Sequence, residues 1–124
     1  MKSKLFLILF LSAITIFAQR VPESIDSKKL NGTREFTVVL PTNYESSPEK
    51  KYPVLVLLDG EYLLSPFEGI LKFGNYWDDL PEMIIVSIPQ NYGETRYLDS
   101  EFDQGGFPSG TGASFFEFIG IELI

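Results

Sequence analysis

The sequence predicts an α/β fold, on three observations: two short unbroken apolar runs, a helix-like stretch between them, and proline or glycine punctuation at their ends. The first run, Val54 to Leu58, stops at the turn pair Asp59-Gly60. The second, residues 83–88 (Met-Ile-Ile-Val-Ser-Ile), lies between Pro81 and Pro89. Unbroken apolar strands suit a parallel sheet covered by helices on both faces, whereas a sheet with one wet face would alternate. Strand, crossover and strand in this order make a βαβ unit, whose hand is nearly always right. Ligands of open α/β sheets bind just outside the carboxyl ends of the strands, which puts Asp59-Gly60-Glu61 at the rim where chemistry is expected.

The chain opens on a targeting pattern. Lys2 and Lys4 precede an apolar core, Leu5 to Leu11, and Ala18 offers a small residue at a cleavage point before Gln19. This is the layout of a secretory signal peptide, so residues 1–18 are expected to be removed and the mature part, residues 19–124, to be periplasmic or secreted. The span 5–18 is broken by Ser12 and Thr15 and falls short of the roughly 20 residues a membrane helix needs, so no membrane association is expected after cleavage. Losing two lysines and no acid takes the formal net charge from −7 to −9. That balance disfavours nucleic acid and anionic membrane surfaces as partners. With no cysteine, export brings neither a disulfide framework nor a lipid-anchored cysteine.

Residues 19–32 are polar and mixed, and read as a leader ending in the turn pair Asn31-Gly32. Residues 34–40 (Arg-Glu-Phe-Thr-Val-Val-Leu) read as a strand near a sheet edge, with Phe36, Val38 and Leu40 on one face. Residues 41–51, with Asn43, two serines and Pro48, form a solvated loop. Pro53 starts the central strand, where a missing N–H does least harm to the ladder. In residues 62–80, Phe67, Ile70, Leu71, Gly74 and Tyr76 or Trp77 recur at spacings of three and four, with Ser65-Pro66 as the helix start. Gly69 and Gly74 weaken that helix by about 1 kcal/mol each relative to alanine, and Tyr76 and Trp77 read as core. Residues 90–111 collect Asn91, Gly93, Gly105, Gly106, Pro108 and Gly110, which suggests a long irregular loop over the second strand's carboxyl end. Residues 113–124 return to helix character. Phe115, Phe118 and Ile119 oppose the polar Glu122, and Ser114 and Glu117 stand at capping-box spacing.

Several motifs fail on inspection. In Gly106-Phe-Pro-Ser109-Gly110 the serine is one place late for a nucleophile elbow, and no strand precedes it. Gly112-Ala-Ser114 lacks the second glycine that relieves crowding at the strained serine. Residues 105–111 hold no lysine, so they do not make a phosphate loop. There is neither histidine nor cysteine and the acids are scattered, so neither a metal centre nor a cofactor is expected.

What remains resembles a known family. Residues 34–41 (Arg-Glu-Phe-Thr-Val-Val-Leu-Pro) with Tyr44, then residues 52–60 (Tyr-Pro-Val-Leu-Val-Leu-Leu-Asp-Gly), look like the opening of the putative-esterase family of α/β-hydrolases. That family includes siderophore and feruloyl esterases, S-formylglutathione hydrolases and mycobacterial mycolyltransferases. Residues 84–89 (Ile-Ile-Val-Ser-Ile-Pro), Arg96 with Asp99, and the helix-like residues 115–124 continue the match, which covers nearly everything after Asn31. The resemblance implies the N-terminal part of an α/β-hydrolase sheet: an edge strand, a βαβ unit and the helix leading to the nucleophile elbow. It places an oxyanion-hole donor directly after Asp-Gly, which here is the backbone N–H of Glu61. Gly60 would let the backbone approach, Asp59 would shape the corner, and the Glu61 carboxylate would point elsewhere. Arg96 and Asp99 would pin the long loop as an ion pair. The expected substrate is a small-molecule carboxylic ester.

The family's serine, acid and histidine fall beyond Ile124. The chain is therefore expected to be an N-terminal portion that does not catalyse alone and, isolated, exposes the apolar faces of its two central strands. A rival reading is a complete, small, secreted β-rich module with almost no helix, stacking a glycan on Tyr44, Tyr62, Trp77 and Tyr92. The unbroken apolar runs favour the hydrolase.

Overall fold

The two apolar runs lie side by side. The computed structural model describes residues 19–90 and 94–124; the expected signal segment 1–18 and residues 91–93, with Tyr92, lie outside the described residues. The strands are β1 (Gln19–Ser27), β2 (Gly32–Leu40), β3 (Val54–Leu57) and β4 (Ile84–Ser87). The helices are α1 (Gly60–Tyr76), α2 (Glu94–Asp99) and α3 (Gly110–Glu117), and α3 runs on as a π-helical segment at Phe118–Leu123. One open sheet results, ordered β1-β2-β4-β3. β3 and β4 pair in parallel, Val54 opposite Ile84 through Leu57 opposite Ser87, with α1 as the crossover of the expected βαβ unit. A 17-residue helix and a parallel pair are incompatible with the β-rich module.

Burial on both faces explains the unbroken runs. On one face Val39, Leu57 and Ile85 pack against Leu64, with Leu63, Phe67 and Leu71 of α1 beside them. On the other, Ile88 packs with Phe115 and Phe118, and Phe36, Val56, Ile119 and Leu123 close around them. Alternate residues of β3 and β4 thus reach opposite cores, except at the ends of the first run, where Val54 and Leu58 are exposed at the outer strand β3.

Four expectations need correction. The polar leader is β1, paired antiparallel with β2 over nine residues. Only Val21 and Ile25 are apolar and half-buried along it, so backbone pairing rather than side-chain burial holds it. It is an edge strand of the described sheet, where Pro22 is tolerated, with β3 at the other edge, and residues 34–40 are therefore interior. Val39, which shares no face with Phe36 and Val38, is the most buried residue of β2 because α1 covers that side.

Second, α1 begins at Gly60 rather than at Ser65-Pro66, and Pro66 sits inside it as its seventh residue. Its inward stripe is Gly60, Leu64, Phe67, Leu71 and Gly74. Ile70, Tyr76 and Trp77 face outward, with Trp77 60% exposed against Tyr76 in an edge-on ring contact. Gly74 is required where it stands, since a Cβ would lie 2.6 Å from Leu80 Cδ1 as the chain folds back to donate Leu80 N–H to Gly74 O. Third, the loop 90–111 contains α2 and a bridge between Phe102 and Pro108.

Fourth, α3 starts at Gly110, so Ser114 caps nothing and Glu117 pairs instead with Lys29 at 2.6 Å. The π-helical winding that follows brings Glu122 to the β1–β2 turn. There its carboxylate accepts from Ser27 Oγ and from the N–H groups of Lys28 and Lys29 at 3.0 and 3.3 Å. The Ser27 hydroxyl, more than anything else, holds the Glu122 carboxyl below its usual range, helped by those two N–H donors. A carboxyl whose folded value lies below its unfolded one stabilises the fold above the unfolded value and loses that contribution as the pH falls through the folded one. Glu122→Gln is therefore expected to melt below the wild type at neutral pH and to converge with it at acid pH, once the folded carboxyl is protonated. Thermal circular dichroism at the two pH values checks this; a constant gap between the melts would contradict it.

Candidate functional site

The corner at the carboxyl end of β3 is built by backbone contacts with the end of β4. Leu57 O accepts from Ile88 N–H at 2.8 Å, and Ile88 O in turn accepts from Gly60 N–H at 3.0 Å. A Cβ on Gly60 would meet Ser87 Oγ at 2.1 Å and the Ile88 backbone at 3.2 Å, so only glycine lets the helix start here. Asp59 makes the turn at φ 52° and ψ 41°, the left-handed region that aspartate tolerates better than most side chains. Its carbonyl takes the N–H groups of Tyr62 and Leu63 at 3.3 and 3.2 Å and so opens the first turn of α1.

Between those bonds sits the N–H of Glu61. No acceptor among the described residues engages it, and Glu61 is exposed. The first turns of helices leave such donors open, and the helix dipole adds partial positive charge there. The Glu61 carboxylate does turn aside, as expected: its Oε2 accepts from Gln90 N–H at 3.1 Å.

The expected Arg96–Asp99 pair is not made. Arg96 Nη2 donates to Asp59 Oδ2 at 2.9 Å, while Asp59 Oδ1 is buried with no partner among the described residues. Asp99 is gripped by both Nη atoms of Arg34, at 2.7 and 3.0 Å, and by Gln90 Nε2 at 3.1 Å. Three residues apart on a helix, Arg96 and Asp99 could have met, but each is claimed by a partner that the sheet holds in place. α2 is thereby tied to the corner through Arg96 and to β2 through Asp99, its last residue. Arg34 also lies over the Phe115 ring, 5.2 Å from its centre. Arg34 and Gln90 were not candidates on sequence alone. The available signal was that Arg34 shares a strand face with Phe36 and Val38, an inward face on which a charge needs a partner.

Other residues lie away from the corner. Ser109 precedes α3 and Ser114 is inside it, so neither stands at a strand-to-helix elbow. Tyr44 rests on Tyr52 with ring centres 5.7 Å apart. A cavity of about 670 Å³ is lined by Arg20, Val39, Glu68, Lys72, Glu82 and Met83. It lies at the opposite, amino end of β4 and takes no part in the site. Among the described residues no cluster could hold a metal ion, and no helix is long and apolar enough to cross a membrane.

The family pattern described as putative esterase matches residues 27–117, and the chain belongs to that family. Its fold is similar to that of an uncharacterised protein from Capnocytophaga ochracea, at 25% identity and TM-score 0.71, over 85% of this chain and 28% of that one. It is likewise similar to an IroE-like serine hydrolase from Shewanella oneidensis, at 26% identity and TM-score 0.65, over 82% of this chain and 35% of that one. A ferulic acid esterase matches at 26% identity and TM-score 0.58, over 86% of this chain and 41% of that one. The chain thus spans less than half the length of these solved structures. No curated protein matches it.

The Asp99 side chain is only 1% exposed, and that of Arg34 15%. Removing one partner of a buried pair leaves an uncompensated charge and costs about 3–5 kcal/mol. Arg34→Met is expected to destabilise the fold by roughly that amount. Arg20→Met, which breaks an exposed pair with Glu68, is expected to cost about 1 kcal/mol or less. Urea unfolding of both variants makes the comparison; equal midpoints would overturn it.

Proposed function

We propose that the chain forms the oxyanion corner of an exported serine esterase that cleaves a small-molecule carboxylic ester. The observation that carries this is the Glu61 N–H: exposed, without an acceptor among the described residues, and fixed at the carboxyl end of a parallel strand. Acyl transfer puts negative charge on the carbonyl oxygen of the tetrahedral intermediate. A donor already aimed at that oxygen stabilises it without reorganising at the moment of reaction. Gly60 contributes close backbone approach and Asp59 the turn that presents the donor. Membership of the family and the likeness to a ferulic acid esterase and a serine hydrolase support ester chemistry. The N-terminal basic and apolar pattern supports export.

In this reading the nucleophilic serine, its histidine base and the orienting acid come from sequence after Ile124. The serine attacks the ester carbonyl and passes its proton to the histidine. The histidine then protonates the departing alcohol, and water releases the acid. The coding sequence is expected to continue past Ile124 into another apolar strand and a G-x-S-x-G elbow, with an acid and a histidine later. An immediate stop codon would defeat that expectation.

The direct test removes the donor alone. Proline is accommodated in the first turn of a helix, where its missing N–H breaks no intrahelical bond. Glu61→Pro in the complete protein is expected to lower kcat on p-nitrophenyl esters by roughly 10²–10³-fold. Glu61→Ala keeps the N–H, loses only the carboxylate bond to Gln90, and is expected to lose less than about tenfold. Equal losses in the two variants would remove the N–H from the reaction.

A further inference from the structure

Asp59 stands immediately before α1, where an aspartate ordinarily turns its carboxylate onto the N–H of the second or third helical residue. Here those residues are Glu61 and Tyr62. Asp59 makes no such bond. Its Oδ2 is instead held by Arg96, and its Oδ1 is buried with no partner among the described residues. The Asp59 carboxylate, on a left-handed residue two places before the Glu61 N–H, is thus engaged elsewhere. Arg96 reaches Asp59 because α2 is fixed at its other end, where Asp99 is bound by Arg34 and Gln90.

We infer that Arg96 is a positioning residue that keeps the oxyanion donor open by drawing the Asp59 carboxylate away from the Glu61 N–H. Without Arg96, the released carboxylate is free to turn toward the Glu61 N–H two residues on and compete for it, so the protein blocks its own site. The geometry explains why a left-handed aspartate with a half-satisfied carboxylate stands at this corner. The side chain makes its bond outward to α2 rather than inward to α1. The catalytic consequence rests on the esterase reading above; the capping consequence does not.

The test uses the complete protein with Arg96→Gln, Arg96→Lys and the double variant Arg96→Gln with Asp59→Gly, glycine being free to keep the positive φ at 59. Arg96→Gln is expected to lower kcat on p-nitrophenyl butyrate by roughly tenfold to a hundredfold with KM little changed, and to slow hydrogen exchange at the Glu61 amide. Arg96→Lys, which keeps one charged donor, is expected to fall between wild type and Arg96→Gln in both readouts, and it decides the matter if Arg96→Gln does not fold. The double variant is expected to regain at least about fivefold over Arg96→Gln, because the competing carboxylate is gone. A simple structural role for Arg96 predicts the reverse, with the second substitution adding to the damage. Unchanged Glu61 exchange in Arg96→Gln, no recovery in the double variant, or a raised KM at constant kcat would each overturn the inference. If the wild type hydrolyses no ester, the esterase reading falls and amide exchange alone decides the role of Arg96.

Discussion

Gly60 lies against the backbone of Ile88 with no room for a side chain, and the rest of the structure is arranged to keep it there. Two consecutive bonds, Ile88 N–H to Leu57 O and Gly60 N–H to Ile88 O, end β3 and start α1 within three residues. They decide which donors of α1 are used and which are left over. They also set the helix over the sheet at one angle, since Gly60, Leu64, Phe67 and Leu71 must all face the strands. The apolar core above the sheet thus follows from a contact between two backbones.

The long segment after β4 is organised by charge rather than by burial. α2 has six residues, too few to be stable as an isolated helix, and two of them, Tyr97 and Leu98, are exposed. What ties it down is one pair at Arg96 and another at its last residue, Asp99. The Arg34–Asp99 pair is nearly dry and shielded from ionic strength, whereas the Arg96–Asp59 pair is half in water on the arginine side. The end of α2 that touches β2 is therefore the anchor, and the end that touches the corner is the adjustable one.

How much of this could be read beforehand depended on whether a feature is local. The βαβ unit is legible because burial on two faces writes itself into adjacent residues, as in Leu55, Val56 and Leu57. Of the candidate site, the corner was legible: Asp59-Gly60-Glu61 stands out as a turn after an apolar strand, and the Glu61 carboxylate bonds to Gln90 rather than to its own helix. β1 was not legible, since an edge strand is held by backbone bonds that leave little mark on side-chain type. Nor were the partners of Arg96 and Asp99. The choice between a neighbour three residues away and one 37 or 65 residues away is made by the sheet order, which no local pattern contains. The start of α1 was missed for a related reason. Ser65-Pro66 carries the conventional signature, but the contact with β4 overrides it five residues earlier.

The clamp between Ser27 and Glu122 has a consequence for the order of folding. Its partners lie 95 residues apart, whereas the Asp26–Thr33 bond across the first hairpin spans seven. Closing the longer loop costs about 2 kcal/mol more chain entropy if nothing else has formed. The hairpin can therefore form on its own microsecond timescale. The Glu122 contact becomes affordable only after β4, α2 and α3 have shortened the path between its ends. During synthesis it becomes available only after β1 to β4 have emerged, since Glu122 follows all four of these strands. Its formation marks the moment at which the first and last described elements of the chain become a single cooperative unit.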